Sequence, residues 1–484
     1  MDDLAIVGGR VIDPETGVDA IRTVTVSNGT ITAVTTDDAP ARRTLDARGQ
    51  VVAPGFIDLH SHAQSLAGAR LQALDGVTTA LDLESGRYPI GPTLRAAADE
   101  GRPINFGYSV GWGATRAALV QGSTIGPDVV LPATPGWDRR WGDREVARLL
   151  TLLEAELAEG AIGIGLLLGY APGVTRKEYL DVARLAATAG VGTFTHARFL
   201  SGMEPGSSLE GVLEVVAAAA STGASMHLCH LNSTAGRQAH DVVAAVRTAQ
   251  AGGLPLTTEA YPYGAGATEI GAAFLDPANL DSMGIEPDAI LLLGARRSVA
   301  DLDELRVLRT TAPTTDVVVR WFDEDSPDDR AALLESLTLP GAAFASDSMN
   351  PLVEGAEVEP GAWPVRPDAV THPRSTGCFA KVFRWLVREL DVLNLPEAVR
   401  RCSLVPADIL AASAPAARRK GRAQVGCDAD LVVFDPDRLT DASTYQSVAP
   451  SVGMTHVLVA GVPVVVDGRL DLDQRPGRPI TSRA

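Results

Sequence analysis

Two histidines one residue apart, His60 and His62, close the apolar run Val51-Val52-Ala53-Pro54-Gly55-Phe56-Ile57-Asp58-Leu59. On an extended strand alternate side chains share a face, so both imidazoles project the same way and can converge on one divalent ion. Downstream, His196 ends the strand-like run Thr193-Phe194-Thr195, His230 ends Met226-His227-Leu228-Cys229, and Asp347 ends Phe344-Ala345-Ser346. A single strand-end histidine is usually a hydrogen-bonded structural residue, but several in order after a His-x-His suit a metal site built from successive strands. The matching chemistry is metal-assisted hydrolysis, in which the ion lowers the pKa of water and polarises a carbonyl. Asp347 is then the carboxylate that carries the proton.

A site with two ions also needs a bridging anion from the protein. None of the three lysines, Lys177, Lys381 and Lys420, ends a strand-like run, which excludes a carboxylated lysine. The available anion is Glu84, in Thr78-Thr79-Ala80-Leu81-Asp82-Leu83-Glu84-Ser85, and Asp82 on the same face competes with it. His227 lies three residues before His230, so the pleat turns it away, to the core or to a supporting position. His240 and His456 lack comparable context and are assigned to the surface or the terminal β region.

The elements that must position these residues alternate. Apolar β-like runs such as Gly76 to Leu81, Ala161 to Gly165, Val191 to His196 and Ala342 to Asp347 are separated by Ala-, Leu- and Glu-rich helical patterns. That alternation predicts βα units on a parallel sheet, with functional residues just after the strands. The segment from Val146 to Leu157 has the strongest amphipathic helical period and carries no chemistry, as barrel packing would. Short strand-like segments with turn residues fill both chain ends, at Leu4 to Val52 and at Ala429 to Val465. The predicted fold is α/β: a (β/α)8 TIM-type barrel with a small β-sandwich formed by both chain ends. Residues 1–58 and 406–484 form the sandwich and 59–405 the barrel. A stretch at about 264–339 fits the alternation poorly and reads as an insertion near the mouth, either an active-site cover or a surface decoration.

Composition narrows the classes of function. At 484 residues the chain suits one barrel plus a smaller unit, and 45% hydrophobic with 21% charged residues is ordinary for a globular protein. No apolar run reaches the roughly 18 residues of a membrane span. Met1-Asp2-Asp3 lacks the basic start of a signal peptide, so a cytoplasmic address is expected. A net charge of −18 argues against nucleic acid and anionic membranes as partners, because phosphate binding needs clustered cations. The four cysteines are scattered, as reduced core thiols would be.

Pro54-Gly55-Phe56-Ile57-Asp58-x-His60-x-His62 resembles the first-strand signature of the amidohydrolase superfamily. Nearly the whole chain resembles one branch, the D-aminoacylases (N-acyl-D-amino-acid deacylases). Gly76-Val77-Thr78-Thr79, Tyr261-Pro262-Tyr263, His372-Pro373-Arg374-Ser375-Thr376-Gly377-Cys378-Phe379, Ala429 to Pro436 and Arg475-Pro476-Gly477-Arg478 carry the likeness. The resemblance implies Zn2+, one or two ions with other divalent metals open, bound at His60, His62, His196 and His230 and at Asp347, which also moves the proton. It further implies Tyr261 and Arg374 as holders of the substrate carboxylate, hence a small amide substrate with an anionic group; homo-oligomerisation stays open. Acyclic N-acyl amino acids, cyclic amides and small dipeptides all suit the metal core, while a non-catalytic barrel acting as a binding protein would usually have lost ligands.

The chain also departs from the branch. The bridging cysteine of the second strand is missing, and Glu84 lies one position before it. The branch's His-x-Lys becomes His230-Leu231-Asn232, which brings Asn232 forward as a substrate-binding candidate. A serine becomes Ala267, and Trp112 stands where a histidine is usual. Loss of a lysine and a serine removes hydrogen-bond donors and sets the specificity pocket apart.

Overall fold

The computed structural model describes residues 1–37, 39–122, 131 and 134–483. Both chain ends contribute to one nine-stranded sheet. The front of the chain supplies Asp2–Asp13, Val18–Ser27, Thr30–Thr35, Ala41–Asp46 and Val51–Pro54, and the back supplies Leu431–Phe434, Met454–Val459, Val462–Val466 and Arg469–Leu470. Their seam is antiparallel, with Leu431 opposite Pro54 and Phe434 opposite Val51. Strand Asp2–Asp13 is irregular between Ile6 and Gly9, pairing first with Ala41–Asp46 and then with Val51 and Val52. The bend lets the sheet close over Ile6, Val11, Val24, Val52, Leu431 and Leu458.

Eight parallel strands in sequence order form the barrel: β1 (Phe56–Asp58), β2 (Val77–Arg87), β3 (Asn105–Gly111), β4 (Gly163–Leu167), β5 (Gly192–His196), β6 (Ser225–Leu228), β7 (Leu256–Ala260) and β8 (Ala343–Phe344). Nearly all of their residues are buried, as expected for a parallel sheet covered on its outside by helices. The first and last strands meet just past their ends: Asp347 N donates to His60 O at 2.7 Å and His62 N to Ser348 O at 2.9 Å. The Asp58 carboxylate reinforces this closure by accepting from Ser346 N at 2.9 Å. Barrel closure thus places His60, His62 and Asp347 side by side.

The outer helices follow local rules. Asp143–Ala158 buries Val146, Leu149, Leu153 and Leu157, spaced three or four apart. Arg176–Ala189 opens with the Thr175 side chain accepting from Glu178 N and stops at Gly190 in the left-handed conformation.

Between β7 and β8 the chain builds a four-stranded antiparallel sheet from Ala265–Glu269, Ile290–Leu292, Arg297–Ser298 and Asp316–Arg320. Ile270, Leu275, Ile290, Val317 and Val319 form its own small core. The edge strand Ala265–Glu269 leans over the barrel mouth, where its residues line the cavity described below.

Candidate metal centre and substrate cavity

Glu84 sits at the middle of the barrel mouth, with one carboxylate oxygen turned to each pair of histidines. Its Oε1 lies 2.7 Å from His230 Nε2 and 3.1 Å from His196 Nδ1. Its Oε2 lies 3.2 Å from His60 Nε2 and 3.7 Å from His62 Nε2. Asp347 Oδ1 faces the second pair, 3.4 Å from His60 Nε2 and 3.5 Å from His62 Nε2. Two imidazole nitrogens, His60 Nε2 and His62 Nε2, approach to 3.1 Å.

Local backbone explains the aim of these side chains. His230 and Asp347 both adopt left-handed φ, 33° and 51°, a conformation that costs a non-glycine residue on the order of 1 kcal/mol and recurs at functional sites. Gly165 on β4 lets the β2 backbone approach, since a Cβ there would stand 2.2 Å from Glu84 O and 2.5 Å from Leu83 O. Any side chain at position 165 would push Glu84 off the barrel axis.

Asp82 does not share the centre with Glu84. Its Oδ1 lies 3.1 Å from His62 Nδ1 and its Oδ2 3.0 Å from Arg87 Nε, so it orients His62 from outside. A second orienting carboxylate, Glu259 on β7, went unmarked in the sequence. Its Oε1 lies 2.6 Å from His60 Nδ1 and its Oε2 3.1 Å from His227 Nε2. A carboxylate on one ring nitrogen fixes the tautomer and leaves the other nitrogen bare to bind a metal. The only local sign of Glu259 is an acid near the end of Leu256-Thr257-Thr258-Glu259-Ala260, as weak a sign as that of Glu84.

Electrostatics in this centre are strongly mutual. Burial raises Glu84, yet His60, His230 and His196 together hold it well below the usual carboxylate range. Burial lowers His60 and His62, but the facing carboxylates win: Glu84, Asp347 and Glu259 hold His60 high, and Asp82 foremost holds His62 high. Against burial, Arg374 and then His60 keep Asp347 ionised far below its ordinary value. His60 and His227 bring Glu259 down to about 2, again against burial. Such a group of anions and nitrogen donors matches the demands of a divalent cation.

The donor set fits an ion on a further count. His196 Nε2 is buried and has no partner among the described residues. Ligand atoms of Glu84, His196 and His230 lie within 4.8 Å of one another, as do those of His60, His230 and Asp347. Imidazole and carboxylate are the ligands zinc prefers. The Cys229 thiol groups with His60 and Glu84 in the same range, buried and held high by desolvation. No lysine belongs to this group: Lys381 pairs with Glu324 at 2.6 Å and Lys420 with Asp430 at 2.6 Å.

A cavity of about 290 Å³ opens on the centre. Arg374 lines it, 1% exposed, with its Nη2 2.8 Å from Asp347 Oδ2 and its guanidinium 4.5 Å over the Tyr261 ring. Nε and Nη1 of Arg374 are buried without partners among the described residues. His372 positions this arginine: its Nδ1 accepts from Arg374 N at 3.1 Å, and its Nε2 donates to Ala265 O at 2.9 Å, tying the arginine to the edge strand. Gly266 leaves room there, since a Cβ would stand 2.9 Å from Tyr261 Oη and 3.1 Å from Trp321 Nε1.

Three residues singled out in the sequence lie in different settings. Asn232 is not among the cavity-lining residues; its Oδ1 accepts from Tyr261 N at 3.3 Å and its Nδ2 donates to Tyr263 O at 3.3 Å. It holds the backbone that carries Tyr261, so substrate contact by Asn232 is not what the structure brings about. Trp112 lies in the outer core with Nε1 donating to Glu178 Oε1 at 3.0 Å, whereas Ala267 lines the cavity.

The barrel, the strand-end histidines and the central carboxylates define an amidohydrolase, and residues 43–289 match the model of the Amidohydrolase family. The chain belongs to that family; it is a metal-dependent hydrolase acting on carbon–nitrogen bonds other than peptide bonds. It is 28% identical to an N-acyl-D-glutamate deacylase of Alcaligenes xylosoxydans xylosoxydans, over 98% of this chain and 96% of that one. It is 27% identical to a D-aminoacylase of the same organism, over 96% and 94%. A crystal structure of N-acyl-D-glutamate deacylase from Bordetella bronchiseptica, complexed with zinc and a phosphonate inhibitor that mimics the tetrahedral intermediate, superposes with a TM-score of 0.77. That match has 24% identity and covers 99% of both chains. Among the described residues no helix is long and apolar enough to cross a membrane.

Proposed function

We propose that this chain is a zinc hydrolase, using one ion or two, that removes the acyl group from an N-acyl-D-amino acid or a closely related amide. The observation that carries the reading is the Asp347–Arg374 pair: one oxygen of the carboxylate faces the histidines, and the cavity-lining arginine that holds the other has two buried donors unpartnered among the described residues. An acid/base group and an anion-binding group thus stand side by side, as cleavage next to a carboxylate requires. The names of the relatives support an acylated D-amino acid as substrate.

In this reading His60, His62, Glu84, His196, His230 and Asp347 hold the metal, with Glu84 as the bridge if two ions bind. Bound metal supplies Lewis acidity toward the amide carbonyl and lowers the pKa of water. Asp347, held in place by Arg374, takes a proton from the attacking water through Oδ1 and returns it to the departing nitrogen. Arg374 holds the substrate carboxylate through a donor left free by Asp347, a charge-assisted contact. Tyr261, stacked under the arginine, offers its hydroxyl to the developing oxyanion.

A substrate panel tests the proposal. Purified, zinc-loaded protein is assayed with N-acetyl-D- and N-acetyl-L-amino acids, hydantoins and small dipeptides. Release of acetate from the D series above all others is expected. Turnover of the cyclic amides or the dipeptides alone would overturn the deacylase reading.

A further inference from the structure

One part of the cavity lining is acidic, and nothing in the chemistry above uses it. Glu269 and Asp316 are direct cross-strand partners on Ala265–Glu269 and Asp316–Arg320, so their side chains rise on one face of the sheet. Glu357, on the hairpin Leu352–Val353 with Ala356–Glu357, lines the same wall. Neither the Glu269 nor the Asp316 carboxylate has a hydrogen-bond or ion-pair partner among the described residues. Arg374 is the single lysine or arginine among the described lining residues, and it already holds Asp347. Arg87 and Arg102, in the adjoining chamber, are paired with Asp82 and Glu100. Burial and then the Asp316 charge push Glu269 up to about 7, and burial and then the Glu357 charge push Asp316 up to about 6, which is the cost of setting like charges together in a half-buried place.

A second, independent feature fixes the other end of a ligand in the same space. Arg374, 1% exposed, directs Nη1 toward Gly266, to within 3.5 Å of where a Cβ would stand, with no partner for it or for Nε among the described residues. Glu269, Asp316 and Arg374 line one cavity of about 290 Å³. We infer that the acidic wall of Glu269 and Asp316 selects a substrate whose side chain ends in a cation, an ammonium or guanidinium, while Arg374 holds its carboxylate. This inference rests on the deacylase reading above and gives the substrate class: an N-acyl-D-amino acid with a basic side chain. It sets the chain apart from the N-acyl-D-glutamate deacylases it resembles, because an acidic side chain would meet carboxylates here.

The test compares kcat/KM for N-acetyl-D-lysine, N-acetyl-D-norleucine and N-acetyl-D-glutamate on the zinc-loaded enzyme. Norleucine has the lysine chain without its ammonium, so the ratio of the first two reads the charge alone. A lysine-to-norleucine ratio of tenfold or more is expected, with glutamate last. Glu269→Gln and Asp316→Asn should each lower that ratio at least fivefold, chiefly through KM for the lysine substrate. The wild-type ratio stands as its own measurement should either variant fail to fold. A ratio near one, or glutamate as the preferred substrate, overturns the inference and leaves the deacylase reading intact. No turnover of any of the three removes both.

Discussion

Glu259→Gln offers a sharp probe of how the centre is organised. The carboxylate accepts from His60 Nδ1 at 2.6 Å and from His227 Nε2 at 3.1 Å, one oxygen to each ring. A glutamine has a single acceptor oxygen and an NH2 that can only donate. One of the two imidazoles must then present a bare nitrogen to the amide. If it is His60, the proton moves to Nε2, the nitrogen that faces Glu84 and Asp347, and the ring is lost as a ligand. If it is His227, that ring exchanges its tautomer and its contact with Thr257 Oγ1 at 2.8 Å is rearranged. Loss of a carboxylate behind a ligating histidine typically costs about 10- to 100-fold in metal affinity. That range corresponds to about 1.4–2.7 kcal/mol at 1.36 kcal/mol per tenfold. The assay is competition for zinc with a chromophoric chelator, run on wild type and Glu259→Gln with the melting temperature of each metal-free protein as a folding control. Unchanged zinc affinity in a folded variant would refute the role given to Glu259.

Further expectations follow from single contacts. Gly165→Ala should lower metal content and melting temperature together, because the added Cβ would stand 2.2 Å from Glu84 O; elemental analysis and calorimetry read both. Asn232→Ala removes an acceptor from Tyr261 N and a donor to Tyr263 O in the buried interior, a loss of about 1–3 kcal/mol in chemical denaturation, with KM moving less than for Arg374→Ala. Stability should also depend on pH through Glu269. Its folded pKa of about 7 exceeds the ordinary 4.5, so the folded chain holds a proton that the unfolded chain has released between those values. The penalty is absent below about 4.5, grows as pH rises to about 7 and is constant above; it is on the order of 1–2 kcal/mol after allowance for partial exposure. Melting curves of wild type minus those of Glu269→Gln, taken across that window, isolate this contribution, and a flat difference contradicts it.

How far the sequence reaches is plain from individual residues. His60 and His62 share a face because side chains on an extended strand alternate, and strand-end placement alone marks His196, His230 and Asp347. Glu84 and Asp82 could not be separated that way: both lie on the inward face of β2, and only the closed barrel shows that Glu84 reaches the axis while Asp82 stops at His62 Nδ1. Glu259 was hidden because a strand acid gains meaning only when two imidazoles from other strands land on it. Asn232 looked like a binding residue because of its place after His230, yet its amide is consumed by backbone groups of the Tyr261–Tyr263 segment. The acidic pair of Glu269 and Asp316 depends on a cross-strand register between residues 47 positions apart (316 − 269), which no local pattern encodes.

The central claim is that Glu84 joins two histidine pairs around metal. Anomalous diffraction at the zinc edge from crystals of the zinc-loaded protein tests it most directly. The expected result is a peak at coordinating distance, about 2.0–2.2 Å, from a Glu84 oxygen and flanked by His196 and His230, with a second near His60 and His62 at high zinc. Two such peaks would stand about 3.5–4 Å apart. Anomalous density that lies elsewhere, with Glu84 outside coordinating distance of every ion, would contradict it.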